Sequence, residues 1–208
     1  MKDYIAEIKD LVLEGEDEEI VALIDEALAE GVPAKEIVSR GLIEGMNEVG
    51  PLMASGELYV PEVLLCAETM QLGLNHLKPQ LKAGDVTTLG KIVIGTVEGD
   101  LHDIGKDLVA MMLESSGFEV VNLGIDQPVE HFLEAGKDAD IVAISALLTT
   151  TMPAMRETVK LLKESNTGAK VIIGGAPVSD EFAEEIGADG YAEDAGAAVV
   201  FCKELLSA

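Results

Sequence analysis

His102 is one of three histidines in 208 residues. It stands in "EGDLHDIG" (98–105), two residues after Asp100 and three before Gly105. A neutral imidazole can bind a metal through one ring nitrogen while the other donates to an orienting carboxylate. Asp100 is near enough in sequence to be that carboxylate. The plainer reading is a histidine at a helix start, with Asp100 or Asp103 capping the helix. Two other segments carry groups suited to a ligand. "SALLTTTM" (145–152) sets four hydroxyl side chains, Ser145, Thr149, Thr150 and Thr151, around an apolar pair. Such residues commonly satisfy nearby backbone groups. They also suit a polar slot, or an extension of an Asp–His hydrogen-bond chain. "GGAPVS" (174–179) reads as a tight turn, or as a glycine floor on which a large flat ligand lies against the backbone.

Few ligands use one histidine, several hydroxyls and a glycine floor together. A mononucleotide such as FMN uses hydroxyl-rich phosphate loops but does not need the histidine. "GDLHD" also resembles the opening of a two-metal phosphoesterase, whose chemistry requires further His and Asn ligands. The remaining histidines are His76, in a helical region, and His131, in a helix expected to face away. That reading fails on ligand count.

The three segments must be held by something. Short β-rich apolar runs precede them: 91–97, 118–124, 140–145 and 170–175, with a fifth at 190–192. Their near-continuous hydrophobicity fits strands buried on both faces of a parallel sheet. Helical stretches alternate with them over 103–116, 128–138, 152–165, 179–186 and 195–206. The pattern predicts a doubly wound α/β domain of five parallel strands. Ligands of such sheets sit beyond the carboxyl ends of the strands, where all three segments fall. Residues 1–83 instead repeat apolar positions at three- and four-residue spacing. They predict four helices: the opening stretch through Val12; one ending near Gly31; one starting at Pro33 and broken near Gly50-Pro51; and one over 61–81. Domains of 1–88 and 89–208 follow.

Composition narrows the function. The chain carries 39 acidic against 14 basic residues, a net charge of −25. Such a field repels phosphate backbones, which argues against nucleic acid and anionic membrane surfaces. Cys66 and Cys202 form no CxxC pair, so neither a disulfide framework nor a thiolate metal site is expected. The start alternates charged and apolar residues, unlike a signal peptide, and no apolar run is long enough to span a membrane. A cytoplasmic location is expected.

"DLHDIG" resembles the D-x-H-x-x-G signature of cobalamin-binding domains. "SALLT" resembles their S-x-L turn, and "GGAPVS" their glycine pair. "GELYVPEVLLCAETM" is similar to the helical cap of methionine-synthase-type cobalamin modules. The resemblance covers nearly the whole chain and points to the free-standing corrinoid proteins of methyltransferase systems. It implies an N-terminal four-helix cap followed by a Rossmann/flavodoxin-like domain that holds cobalamin, or a related corrinoid, base-off. His102 would replace the cofactor's own base as the axial cobalt ligand, Asp100 would hold its ring, and Thr151 would complete the chain. Methionine-synthase relatives carry a serine at the Thr151 position. Ser145 and Thr149 would border the buried nucleotide tail, Gly174 and Gly175 would flank it, and Tyr191 and Ala192 would lie near its far end. Gly105 would let the first turn pass close to the corrin, with Asp103, Ile104 and Leu147 in the same contacting turns.

The resemblance also implies a role. The chain would carry a methyl group, as methylcobalamin alternating with cob(I)alamin, from a methyltransferase specific for a methylated amine or methanol. A second methyltransferase, acting on a thiol or tetrahydrofolate-type acceptor, would remove it, and a reductive activase would serve the system. The chain alone would be non-catalytic. A cobalamin-dependent regulator and an adenosylcobalamin mutase subunit are the alternatives. A carrier must shield its methyl group and yet present it to two partners, so the helical half is expected to act as a lid hinged at "KAGDVTTLG" (82–90). Tyr59, Cys66 and Met70 are expected to touch the methyl face, whereas Val63 is expected to fill the bundle core.

Overall fold

The protein is described as a computed structural model covering residues 2–81, 88–165 and 167–207. It comprises two compact units, one of helices and one α/β. No helix among these residues is long and apolar enough to cross a membrane.

The helical unit opens with α1 (Tyr4–Glu14), whose first turn is capped by Asp3: its carboxylate accepts the Ala6 N–H at 3.2 Å. Helix α2 (Asp17–Ala29) follows after the left-handed Gly15. A single turn, α3 (Ala34–Glu36), runs through a π-helical segment (Ile37–Ile43) into α4 (Glu44–Ala54). Pro51 lies inside α4, so the break expected at Gly50-Pro51 does not occur. A mid-helix proline forfeits one hydrogen bond. Here the helix ends three residues later, and Met46 and Val49 anchor the preceding turn in the core.

Helix α5 (Val60–Leu77) starts behind Tyr59, whose N–H donates to Glu62 Oε2 at 2.8 Å. Its buried face carries Val63, Cys66, Ala67, Met70 and Leu77, among Ile8, Val12, Ile20, Ile24 and Leu42 of the other helices. Val63 therefore fills the core, as expected. Cys66 and Met70 do too: each is 1% exposed, and the Cys66 thiol donates to the Leu13 carbonyl at 3.3 Å. Their placement on a methyl-facing surface is thus corrected. Helix α5 is apolar on nearly every side, and the outward positions are taken by Leu64, Leu65 and Leu72, with Tyr59 at the helix entry 68% exposed.

The α/β unit has five parallel strands: β1 (Lys91–Val97), β2 (Glu119–Gln127), β3 (Ile141–Ser145), β4 (Lys170–Gly174) and β5 (Gly190–Ala192). Their order is β2-β1-β3-β4-β5, the flavodoxin-like arrangement. Helices α6 (Ile104–Ser115), α7 (Val129–Ala135), α8 (Met152–Glu164), α9 (Asp180–Ile186) and α10 (Ala195–Ser207) alternate with them. Val93, Val142, Ile144, Val171 and Ile173 pack with Phe132 of α7, Met155 and Val159 of α8 and Ala183 of α9. The alternate positions Ile92, Ile94 and Ile172 are also buried. Right-handed crossovers assign that second face to α6 and α10. The order in which strands are added reverses between β1 and β3, which places the turns after them side by side at the carboxyl edge.

Residues 82–87 of the proposed hinge lie outside the described residues. From Thr88 onward the chain is tied to the sheet, since Thr88 Oγ1 accepts the Glu119 N–H at 3.1 Å.

Candidate functional site

The turn after β1 carries Asp100, which is fully buried, and His102, whose side chain is half exposed. Asp100 Oδ1 meets His102 Nδ1 at 2.7 Å and accepts the His102 N–H at 3.2 Å. Asp100 Oδ2 faces the turn after β3. It accepts the Leu147 N–H at 2.8 Å, the Leu148 N–H at 3.3 Å and the Thr151 hydroxyl at 2.8 Å. Burial alone would raise the Asp100 carboxyl. The hydrogen bonds from the His102 ring, the Leu147 N–H, the Thr151 hydroxyl and the His102 N–H outweigh it and hold the group well below the usual carboxylate range. An ionised Asp100 can only accept, so Nδ1 carries the ring proton and Nε2 is left with a lone pair for a ligand.

Residues not singled out from sequence complete this frame. Thr96, fully buried near the end of β1, donates its hydroxyl to the His102 carbonyl at 2.9 Å. The signal for it was a lone hydroxyl inside the apolar run "KIVIGTV". Lys106, 3% exposed, pairs with Asp107 and donates to Asn122 Oδ1 at 2.7 Å, fastening the start of α6 to β2. Leu101 and Leu148 add to an apolar surface around the histidine. Leu101 is 66% and Ile104 82% exposed, and Leu147 and Leu148 are also open to solvent. Apolar side chains this exposed around an oriented imidazole form a bed for a large flat ligand.

The glycines fit the same purpose. At Gly105 nothing lies within 4 Å of where a β-carbon would stand, so no neighbour within the chain demands a glycine there. At Gly175 the reverse holds: with φ +125, a β-carbon would sit 1.9 Å from the Ala146 carbonyl oxygen. The β3 and β4 turns therefore touch backbone to backbone, and the Ala146 N–H donates to the Gly174 carbonyl at 3.2 Å.

The remaining expected residues share the carboxyl edge without joining the Asp100 network. Ser145 ends β3 half-buried, in register with Thr96 on one side and Gly174 on the other. Asp103 and Thr149 are exposed in their turns. Tyr191 and Ala192 are half-buried on β5, beside Ile173 and Gly174. Burial, with the negative charges of Glu193, Asp194 and Asp180, pushes the Tyr191 hydroxyl up, so it stays protonated and able to donate. Tyr59 belongs to the helical unit. Among the described residues, no three His, Cys, Asp or Glu side chains gather as a metal-binding group.

The sequence and the fold both resemble known proteins. A B12 binding domain family matches residues 90–200, and a second B12 binding domain family matches residues 4–78. The chain is 47% identical over 210 residues to dimethylamine corrinoid protein 3 of Methanosarcina acetivorans, covering 99% of this chain and 98% of the relative. A chain of the methanol:cobalamin methyltransferase complex of Methanosarcina barkeri superposes with a TM-score of 0.89 at 30% identity, over 100% of this chain and 81% of that one. A cobalamin-binding protein of Desulfitobacterium hafniense superposes with a TM-score of 0.80 at 36% identity, over 98% of both chains. The chain belongs to the family of B12-binding corrinoid proteins.

Proposed function

We propose that this corrinoid protein carries a methyl group from a methyltransferase specific for a methylated amine to a second methyltransferase. The observation that carries the reading is the buried Asp100 carboxylate, which fixes His102 with Nε2 free at the centre of an exposed apolar surface. Cobalamin, when bound, would supply a cobalt centre able to accept and give up a methyl group, alternating between the cob(I)alamin and methylcobalamin forms. The chain's own residues do the rest. His102 Nε2 would hold the cobalt, and Asp100 sets the tautomer and aims the ring. Thr151 and the Leu147 and Leu148 amides hold Asp100 ionised. Leu101, Ile104, Leu147 and Leu148 supply apolar contact area, and Gly105 keeps the first turn low. Ser145, Thr149, Gly174, Gly175, Tyr191 and Ala192 receive the nucleotide tail along the β3–β5 edge.

Dimethylamine is the favoured donor, because relatives that match the chain end to end are dimethylamine corrinoid proteins. Methanol is the second reading, supported by the close fold match to the methanol:cobalamin methyltransferase complex. The acceptor enzyme would methylate a thiol or a tetrahydrofolate-type carrier, with a reductive activase restoring oxidised cofactor.

The test has two arms. Electron paramagnetic resonance of the cobalt(II) form should show nitrogen splitting that changes on nitrogen-15 histidine labelling and is absent in His102→Ala. Splitting that ignores the label removes His102 as ligand. Mixing the loaded protein with methyltransferases specific for dimethylamine or methanol, each with its substrate, should change the cobalt absorbance with the dimethylamine enzyme first. A response to neither overturns the carrier assignment.

A further inference from the structure

Asp126 is the one non-glycine residue with a left-handed backbone among the described residues, at φ 52. Any residue with a β-carbon is disfavoured there, and such strain persists only where the surroundings impose it. The surroundings are specific. Along β1 and β2 the register runs Ile94 with Asn122, Gly95 with Gly124, then Val97 with Gln127. Strand β2 therefore gains a residue twice over, a pair of bulges that bend its end. The bend carries Asp126 under the turn after β1. The Gly99 N–H donates to Asp126 Oδ1 at 2.7 Å, and the Asp126 N–H donates to the Asp100 carbonyl at 3.0 Å. A side-chain bond to the Gly99 N–H and a backbone bond to the Asp100 carbonyl thus clasp the Gly99–Asp100 dipeptide at its two ends. The β3 turn grips the Asp100 carboxylate, and Asp126 grips its backbone.

We propose that Asp126 is a positioning residue for the axial ligand: its left-handed backbone and its carboxylate oxygen lock the Gly99–Asp100 dipeptide, so that Asp100 presents Oδ1 to His102 before any cofactor binds. This inference rests on His102 being the cobalt ligand. An ordinary turn would use glycine at this φ and avoid the strain. Glycine, however, has no oxygen to accept the Gly99 N–H, whereas asparagine tolerates the conformation and keeps an oxygen. The acceptor matters here and the charge does not.

The test compares full-length Asp126→Ala, Asp126→Gly and Asp126→Asn with wild type. Two quantities are read: amide hydrogen exchange at Gly99 without cofactor, and histidine nitrogen splitting of the cobalt(II) form with cobalamin bound. In Asp126→Ala and Asp126→Gly, Gly99 exchange should rise, and the ratio of ligated to unligated imidazole should fall, each about tenfold, as expected for losing one hydrogen bond. Asp126→Asn should match wild type in both. The glycine variant removes the strain, so should the alanine variant not fold, glycine still reports the missing acceptor. Full nitrogen splitting in the alanine or glycine variant overturns the proposal, as does unchanged Gly99 exchange or loss in the asparagine variant. Wild-type protein without histidine splitting refutes the ligand assignment and the proposal with it, a result distinct from wild-type splitting that survives in the variants.

Discussion

Thr151→Val tests whether the hydroxyl belongs to the Asp100–His102 chain or merely caps a helix. Thr151 is 6% exposed, and its one hydroxyl proton faces Asp100 Oδ2 at 2.8 Å and the Leu148 carbonyl at 2.9 Å. The charged acceptor should win. Valine preserves the shape and removes the donor. Asp100 then keeps His102 Nδ1–H, His102 N–H, Leu147 N–H and Leu148 N–H, but it is fully buried and no water replaces what was lost. A hydrogen bond to a buried charge contributes about 1.5–3 kcal/mol, so urea unfolding of the cofactor-free protein at pH 7 should show a loss of about 2 kcal/mol. The pH dependence has a definite sign. The Asp100 carboxyl is depressed in the folded state. Its stabilisation is complete above the unfolded value of about 3.9 and is lost as pH falls through the lower folded value. The unfolded states titrate alike, so the deficit of the valine variant should stay flat from pH 8 through about pH 4 and close only as pH falls further, through the depressed folded-state values of Asp100. Thr151→Ser keeps the donor and should recover most of it. A deficit under about 0.5 kcal/mol at pH 7, or one that persists unchanged when Asp100 is protonated, would refute the reasoning and assign the hydroxyl to Leu148.

Gly175→Ala should abolish cobalamin binding and lower stability by more than about 2 kcal/mol, because φ +125 and the Ala146 oxygen both reject a β-carbon; binding titration and urea unfolding check this. Near-normal binding would show that the β3 and β4 turns can part without consequence. Tyr59→Ala should leave cofactor-free unfolding within about 0.5 kcal/mol of wild type, since the ring is largely exposed. Faster photolysis of bound methylcobalamin would then identify Tyr59 as part of its shield, and an unchanged rate removes it from that role. A fragment starting at Thr88 retains the tie to Glu119 and all the turns at the carboxyl edge; it should fold, by circular dichroism, and bind cobalamin, by absorbance. An insoluble or non-binding fragment would count against placing the division at that point.

Strands β1, β3 and β4 were legible because runs such as "KIVI" and "DIVAIS" are buried on both faces, which only a covered parallel sheet allows, and the short, half-buried β5 was legible from the rhythm of alternating strands and helices. Strand β2 extends three residues past its expected end at Gly124. A glycine signals a turn by its own propensity, while the bulges that carry the strand onward arise from pairing with β1. The Asp100–His102–Thr151 chain was legible as motifs, but the Asp126 clasp was not, since it joins positions 27 residues apart through a strained backbone. Helix α5 misled for another reason. Val63, Cys66 and Met70 share a face, yet Leu64, Leu65 and Leu72 make the outer side apolar as well, so spacing alone does not tell which side turns inward. Pro51 was read as a breaker because local preference was weighed without the core contacts of Met46 and Val49.

The backbone contact at Gly175 has a thermodynamic consequence. Gly174 is bonded to Ala146, the next amide, Leu147, is bonded to Asp100, and Asp100 is bonded to His102. This chain runs from the turn assigned to the nucleotide tail to the atom assigned to cobalt. With the tail in that turn and His102 on cobalt, as proposed, occupancy at one end and ligation at the other would be coupled through this chain, and that coupling would be reciprocal. Tail chemistry that tightens the β4 turn would then favour the imidazole on the metal, and a corrinoid with no tail would forfeit that advantage. The protein would then discriminate among corrinoids by how firmly each one engages its histidine, at a distance from the bases that differ.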